Sequence, residues 1–243
     1  MPMTGCGRSE GRQWHRLPAS DRVAPICAPS IHMLIKKMSP RPRNLFNHLV
    51  KYNGHITRRD RNILNRHPSG VLWFTGLSAA GKSTIAHAVE KKLFSLGIRS
   101  YVLDGDNVRH GINSDLGFSL QDRKENIRRI VEISRLFVDA GFIVLASFIS
   151  PSKKDREFVR NCLSQDNFYE VYIKCSIQEC ERRDPKGMYE KARRGIIKNY
   201  TGISAPYEEP ESPDLVIDTE KLNIEDSIQG VLNFMDRVKY LVN

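Results

Sequence analysis

Cysteine is scarce in this chain. Cys6, Cys27, Cys162, Cys175 and Cys180 form an odd, unevenly spaced set without a C-x-x-C pair. Neither a disulfide framework nor a zinc pattern is indicated, and a reducing compartment is the simpler expectation. Long apolar runs are also missing. No stretch approaches the roughly 20 residues that a membrane-spanning helix needs, and the N-terminus lacks the continuous apolar segment of a secretion signal. A soluble, cytoplasmic protein with no membrane contact is expected. Acidic residues are nearly absent from one region only: residues 1–69 hold 13 Lys+Arg against Glu10, Asp21 and Asp60, which leaves 25 charges of each sign from residue 70 onward. The net charge of +10 therefore belongs to the leader. No basic stripe with interleaved aromatics continues beyond it, which argues against a nucleic-acid partner.

With 243 residues, 40% of them apolar, the chain is long enough for one α/β domain with an appendage. Residues 1–40, rich in Pro, Arg and Ser, read as a poorly structured basic leader. An organelle transit peptide has a similar composition, but Pro2, Pro18, Pro25 and Pro29 break the amphipathic helix it requires. A tail, or an upstream start with Met33 or Met38 as the true beginning, are the other readings. Residues 41–69 form a basic, partly helical segment around Thr57–Asn62, a charge run of the kind that usually makes a solvated face.

From residue 70 strand and helix patterns alternate. Strands are expected over 71–75, 99–103, 142–148, 168–174 and 214–217, with helices near 82–96, 122–140, 152–164, 176–182 and 224–241. The pattern predicts an α/β fold, a doubly wound, mainly parallel five-stranded sheet. A long polar segment, residues 183–212, separates the last two strands. Such connections either serve as mobile lids over active sites or are disordered insertions.

The residues Gly76, Leu77, Ser78, Ala79, Ala80, Gly81, Lys82 and Ser83 satisfy G-x-x-x-x-G-K-[ST], directly after the apolar run Val71–Thr75. The glycines let successive backbone N–H groups face phosphate oxygens, and the helix beginning with Lys82, Ser83 and Thr84 presents its positive end. Lys82 is expected to reach the β- and γ-phosphates, with the Ser83 hydroxyl on magnesium. A chance match in a Gly-Ser-rich turn is the bland alternative. The strand before the motif and the apolar periodicity after it (Ile85, Ala88, Val89, Leu93) supply the context it needs.

Binding ATP does not specify the acceptor. The second strand ends in Asp104-Gly105-Asp106-Asn107, at the carboxyl edge where doubly wound folds bind ligands. Two carboxylates there suit a magnesium site and a proton acceptor, or else they simply close a turn. Arg109, Arg123, Arg128 and Arg129 follow among acids. Each can be an ordinary helix-surface ion pair or a bidentate ligand for phosphate or sulfate. Phe118 is either core or a stacking partner for a base.

The string DGDNVRHGINSDLGFSLQDRKENIRRI, the FISP at Phe148–Pro151 and the segment RDPKGMYEKARRGIIKNYTGISAPYEEPESPDL at Arg183–Leu215 together resemble adenylylsulfate kinases across residues 70–243. The resemblance implies transfer of the ATP γ-phosphate to the 3′-hydroxyl of adenosine 5′-phosphosulfate. It further implies Asp104 as base and metal carboxylate beside Ser83, supported by Asp106, and Arg183 with Lys186 on the ATP side. Arg109, Arg123 and Asn126 would bind the phosphosulfate, Phe118 would stack on its adenine, and Ile149 and Ser150 would contribute backbone and hydroxyl contacts. Ser150 is also the family's candidate phosphoserine, although direct transfer needs no covalent relay. In the lid, Lys198 would neutralise developing charge while Tyr200, Thr201 and Gly202 close over the substrate. A homodimer and an ATP sulfurylase partner are implied in the same way. Two features depart from the family pattern: Ala79 and Ala80 stand where Gly-Ser is usual, and Tyr200 replaces a phenylalanine.

Overall fold

The computed structural model describes residues 49–50, 52 and 54–241. The leader expected over residues 1–40 lies outside them, and residues from Gly54 onward form one compact unit. Its first element is helix α1 (Arg58–Asn65), which begins with a complete capping box between Thr57 and Asp60. The basic face is not merely solvated. Arg58 donates to Ser69 and Asp166, Arg61 to Asp139, and Asn65 to the Gly141 carbonyl, so α1 is tied to the edge of the sheet domain.

The sheet comprises β1 (Gly70–Thr75), β2 (Ser100–Asp104), β3 (Ile143–Ser147), β4 (Phe168–Lys174) and β5 (Leu215–Asp218). All four pairings are parallel, in the order β2-β3-β1-β4-β5, which is the doubly wound arrangement expected from the alternating pattern. Every residue of β1 is buried, as a central strand covered on both faces requires. Leu72 and Phe74 pack on one side against α2 (Lys82–Ser95) and the C-terminal helix, α8 (Ile224–Arg237). Val71 and Trp73 pack on the other side against α4 (Leu120–Asp139) and α5 (Lys153–Leu163). Each such side chain stabilises the fold by about 1.5–3 kcal/mol, so β1 is a firm base for the loop that follows it.

Three short helices complete the unit: α3 (Gly105–Arg109), α6 (Ile177–Arg183) and α7 (Met188–Arg193). Two of them depart from the expected pattern. The acidic turn after β2 is helical because the Asp104 carboxylate accepts from the Asp106 and Asn107 N–H groups. The segment expected as a loop over 183–212 contains α7, whose first N–H groups are held by the Asp184 carboxylate. Asp184 acts from outside the helix, which is why a reading of helix periodicity passes over it.

Candidate active site

The phosphate loop runs from the end of β1 into α2 at the carboxyl edge of the sheet. Its backbone is fixed by three left-handed or otherwise positive φ angles, at Gly76 (148°), Ala79 (60°) and Gly81 (102°). A side chain at Gly76 would run into the Ile173 carbonyl oxygen, so only glycine fits. Ala79 adopts the left-handed region at a cost of roughly 1–2 kcal/mol for a residue with a Cβ. Gly81 is the N-cap of α2 and offers no side-chain capping bond, which leaves the first N–H groups of the helix free to face an anion.

Lys82 is buried and donates to the Leu77 carbonyl at 2.6 Å across its own loop. Burial pushes its ammonium down to about 8, and the nearby Asp104 and Asp106 oppose that shift. Ser83 Oγ donates to Asp104 Oδ2 at 2.5 Å and lies 3.2 Å from Ser147 Oγ. A hydroxyl and a carboxylate oxygen thus meet beside the phosphate loop, hard oxygen donors of the kind magnesium prefers. Among the described residues no cluster of three His, Cys, Asp or Glu competes as a metal site.

A cavity of about 640 Å³ opens from this corner toward α4 and the FISP segment. Asp104, Asp106, Arg109, Phe118, Arg123, Asn126, Ile149, Ser150, Arg183, Tyr200 and Thr201 all line it, so segments far apart in sequence converge there. The two sides differ in character. Near the phosphate loop Asp106 pairs with Lys186, and Arg183 donates to both the carbonyl and the hydroxyl of Thr219. On the far side the Arg109 guanidinium lies 4.4 Å over the exposed Phe118 ring. Burial, and then Arg123, push Arg109 below its ordinary value, so this corner holds excess positive charge suited to an anion. Arg123 donates to the Asn199 carbonyl at 2.7 Å and to Thr201 Oγ1 at 3.2 Å, joining α4 to the lid segment.

A family model for adenylylsulphate kinase matches residues 68–218, most of the chain. The chain belongs to the adenylylsulphate kinase family. It is 56% identical over 198 residues to an adenylyl-sulfate kinase of Oceanobacillus iheyensis, covering 82% of this chain and 100% of that protein. The enzyme of the same name from Staphylococcus epidermidis is 53% identical over 195 residues, covering 80% and 98%. Among solved structures, the Mycobacterium tuberculosis APS kinase CysC in complex with AMPPNP and APS superposes with a TM-score of 0.68 at 45% identity. That superposition covers 70% of this chain and 99% of the other.

Not every residue expected at the site lines the cavity. Lys198 is exposed and does not line the cavity, where Lys186 presents the lid's ammonium instead. Of the phosphate-loop run, Ser78, Ala79 and Gly81 to Thr84 line the cavity while Gly76, Leu77 and the fully buried Ala80 do not; nor does Gly202, which packs where a Cβ would meet Leu77 and Ile177. Ser150 lines the cavity, yet its hydroxyl is turned into the protein. It accepts from Trp73 Nε1 at 3.1 Å and donates to Thr75 Oγ1 at 3.0 Å, with no carboxylate or imidazole among those partners. Asn126 is buried and accepts from Asn113 Nδ2.

Three residues of the site had no signal of their own in the sequence. Thr219, just past β5, donates to the Ala80 carbonyl at 2.8 Å and receives Arg183, clamping the phosphate loop to α6. Tyr207 lies within hydrogen-bonding distance of Thr75 at 3.0 Å, and Tyr189 donates to the Ser78 carbonyl at 3.0 Å. Only the position of Thr219 at the carboxyl end of a strand could have pointed to it.

Proposed function

We propose that this chain transfers the γ-phosphate of ATP to the 3′-hydroxyl of adenosine 5′-phosphosulfate, forming 3′-phosphoadenylyl sulfate and ADP. One observation carries the reading: a single cavity joins the phosphate loop to the Arg109, Phe118 and Arg123 corner, in a chain 45% identical to a kinase described with both AMPPNP and APS bound. The test is an ADP-release assay with ATP, magnesium and a panel of acceptors. Turnover with a nucleoside or sugar but none with APS would sink it.

In this reading the phosphate loop from Gly76 to Thr84 cradles the triphosphate, Lys82 takes its charge, and Arg183 closes the ATP side. A magnesium ion held by Ser83 and Asp104 would neutralise charge on the β- and γ-phosphates. The sequence put base and metal roles together on Asp104, and the geometry favours dividing them. Asp104 Oδ1 is occupied by two backbone N–H groups and Oδ2 by Ser83, whereas Asp106 is largely exposed and holds only Lys186. Asp106 is therefore our candidate to accept the 3′-hydroxyl proton once the acceptor displaces Lys186.

Arg109 and Arg123 bind the phosphosulfate, Asn126 supports that corner, and Phe118 with Tyr200 provides aromatic faces for adenine. Ile149 contributes its backbone. Transfer is direct, since the buried hydrogen bonds of Ser150 favour a positioning role over a phosphoserine relay. The lid over 183–212, with Lys198, Thr201 and Gly202, would draw inward on substrate.

Residues 1–40 are proposed to be dispensable for catalysis, and turnover of a variant lacking them tests this. We place the enzyme in the cytoplasm as a homodimer fed by an ATP sulfurylase. Light scattering in solution separates that dimer from a larger assembly, such as the hexameric relative from Thiobacillus denitrificans.

A further inference from the structure

Five helices of this unit begin with a polar N-cap residue and an acid three positions on. In four of them the N-cap side chain accepts from the N–H of that acid: Thr57 from Asp60, Ser119 from Asp122, Ser176 from Glu179 and Asn223 from Asp226. The fifth pair, Ser152 and Asp155 at the start of α5, makes no such bond. A residue from across the chain holds a different N–H, that of the first residue of the helix. Glu208 of the lid segment accepts from the Lys153 N–H at 2.5 Å and donates its own N–H to the Pro151 carbonyl at 2.9 Å.

Asp155 makes no side-chain bond at its own helix terminus and lines the active-site cavity. It is half-buried there, and burial raises its carboxyl above the usual range; the charges of Lys124, Glu208 and Arg156 act on it, but no hydrogen bond does. A half-buried carboxylate with no donor from the protein is left to solvent or to a donor on a bound ligand.

The ligand's own charge limits which part can face it. Phosphate and sulfate are repelled by a carboxylate, and the acceptor hydroxyl is assigned to the opposite, phosphate-loop side with Asp106. Two neutral donors remain on a phosphosulfate nucleotide: the ribose 2′-hydroxyl, which is covalently adjacent to the 3′-hydroxyl and stays with it on the phosphate-loop side, and the exocyclic amine of the base. Resting on the acceptor reading above, we propose that Asp155 is a specificity-determining residue that accepts a hydrogen bond from the 6-amino group of the acceptor's adenine, with Glu208 holding α5 so that it can.

The experiment compares APS with purine riboside 5′-phosphosulfate, which has hydrogen in place of the 6-amino group, on wild type, Asp155→Ala and Asp155→Asn. Wild type is expected to prefer APS by about ten-fold or more in kcat/KM, the loss typical of one unpaired polar group. Asp155→Ala should lose most of that preference through KM for APS, with the KM for ATP and the turnover of the analogue nearly unchanged. Asp155→Asn, which keeps an acceptor oxygen, should recover part of it. Thermal midpoints guard against a folding effect, and an unfolded alanine variant leaves the asparagine comparison to decide. Equal losses on both acceptors, or no loss on either, would overturn the proposal alone. A wild-type enzyme that turns over neither phosphosulfate would overturn the acceptor reading beneath it.

Discussion

Ser83, on the first turn of α2, donates its hydroxyl to Asp104, the last residue of β2, at 2.5 Å. The bond ties the phosphate-loop helix to the edge strand, and the same carboxylate caps α3. Asp104→Asn keeps a capping oxygen, so stability should fall by no more than about 1 kcal/mol. Turnover should fall by about a hundred-fold or more, because the charge facing Ser83 is gone. Asp106→Asn should also lower kcat, with less effect on the magnesium dependence. A pair of variants with identical magnesium profiles would argue against dividing the roles.

Lys82 is held in a site that disfavours its charge. Its folded-state value, near 8, lies below the 10.5 of a free lysine, so the folded chain binds fewer protons than the unfolded chain between those two pH values. The stability of the nucleotide-free protein should therefore rise across pH 8 to 10.5, by roughly 3 kcal/mol at most, and the penalty is fully present below pH 8. Lys82→Met should inactivate the enzyme yet make the nucleotide-free protein more stable by about 1–2 kcal/mol at pH 7, since the lost bond to Leu77 offsets part of the gain. Urea denaturation at pH 7 and 9.5 reads this directly. A variant less stable than wild type at pH 7 would contradict the burial argument.

The left-handed φ of 60° at Ala79 carries strain that glycine would release. Glycine also loses more freedom on folding and gives up a methyl contact, so Ala79→Gly should lie within about 1 kcal/mol of wild type. Ala79→Val should cost about 2 kcal/mol or more, because a β-branched residue is poorly accommodated there. Denaturant midpoints of the three proteins suffice, and equal stability of valine and alanine would show that the turn relaxes.

Ser150→Ala separates a structural hydroxyl from a covalent relay. It leaves Trp73 Nε1 without its partner in the core, a loss of roughly 1–3 kcal/mol. Turnover should stay within about ten-fold of wild type. A collapse of several orders of magnitude in kcat with ATP and APS would restore the phosphoserine route.

The five strands were legible because each is a short apolar run bounded by turn residues, and four of the main helices follow long periodic stretches. Helices α3 and α7 were not, since a carboxylate adjoining each one holds it in place of hydrophobic periodicity. The phosphate-loop motif was legible as one run between β1 and α2. Its function depends on one contiguous backbone turn, and a contiguous turn is written in order. Lys186 was expected at the site, but that Lys198 would stand outside the cavity was not legible. Lys186 and Lys198 have the same side chain, and only the packing of α6 and α7 places one in the cavity and the other in solvent.

By itself the sequence determined the doubly wound sheet, the ATP-binding turn and, through its resemblance, the family. These rest on local patterns and on strings of neighbouring residues. The tertiary structure decided what each charged group is free to do: Asp104 locked between Ser83 and a helix terminus, Asp106 held only by a salt bridge, and Asp155 on the cavity lining without a bond at its own helix terminus. The physical reason is that a carboxylate's role depends on which donors have already claimed its oxygens. Those donors arrive from helices, strands and lid segments that only the folded chain brings together.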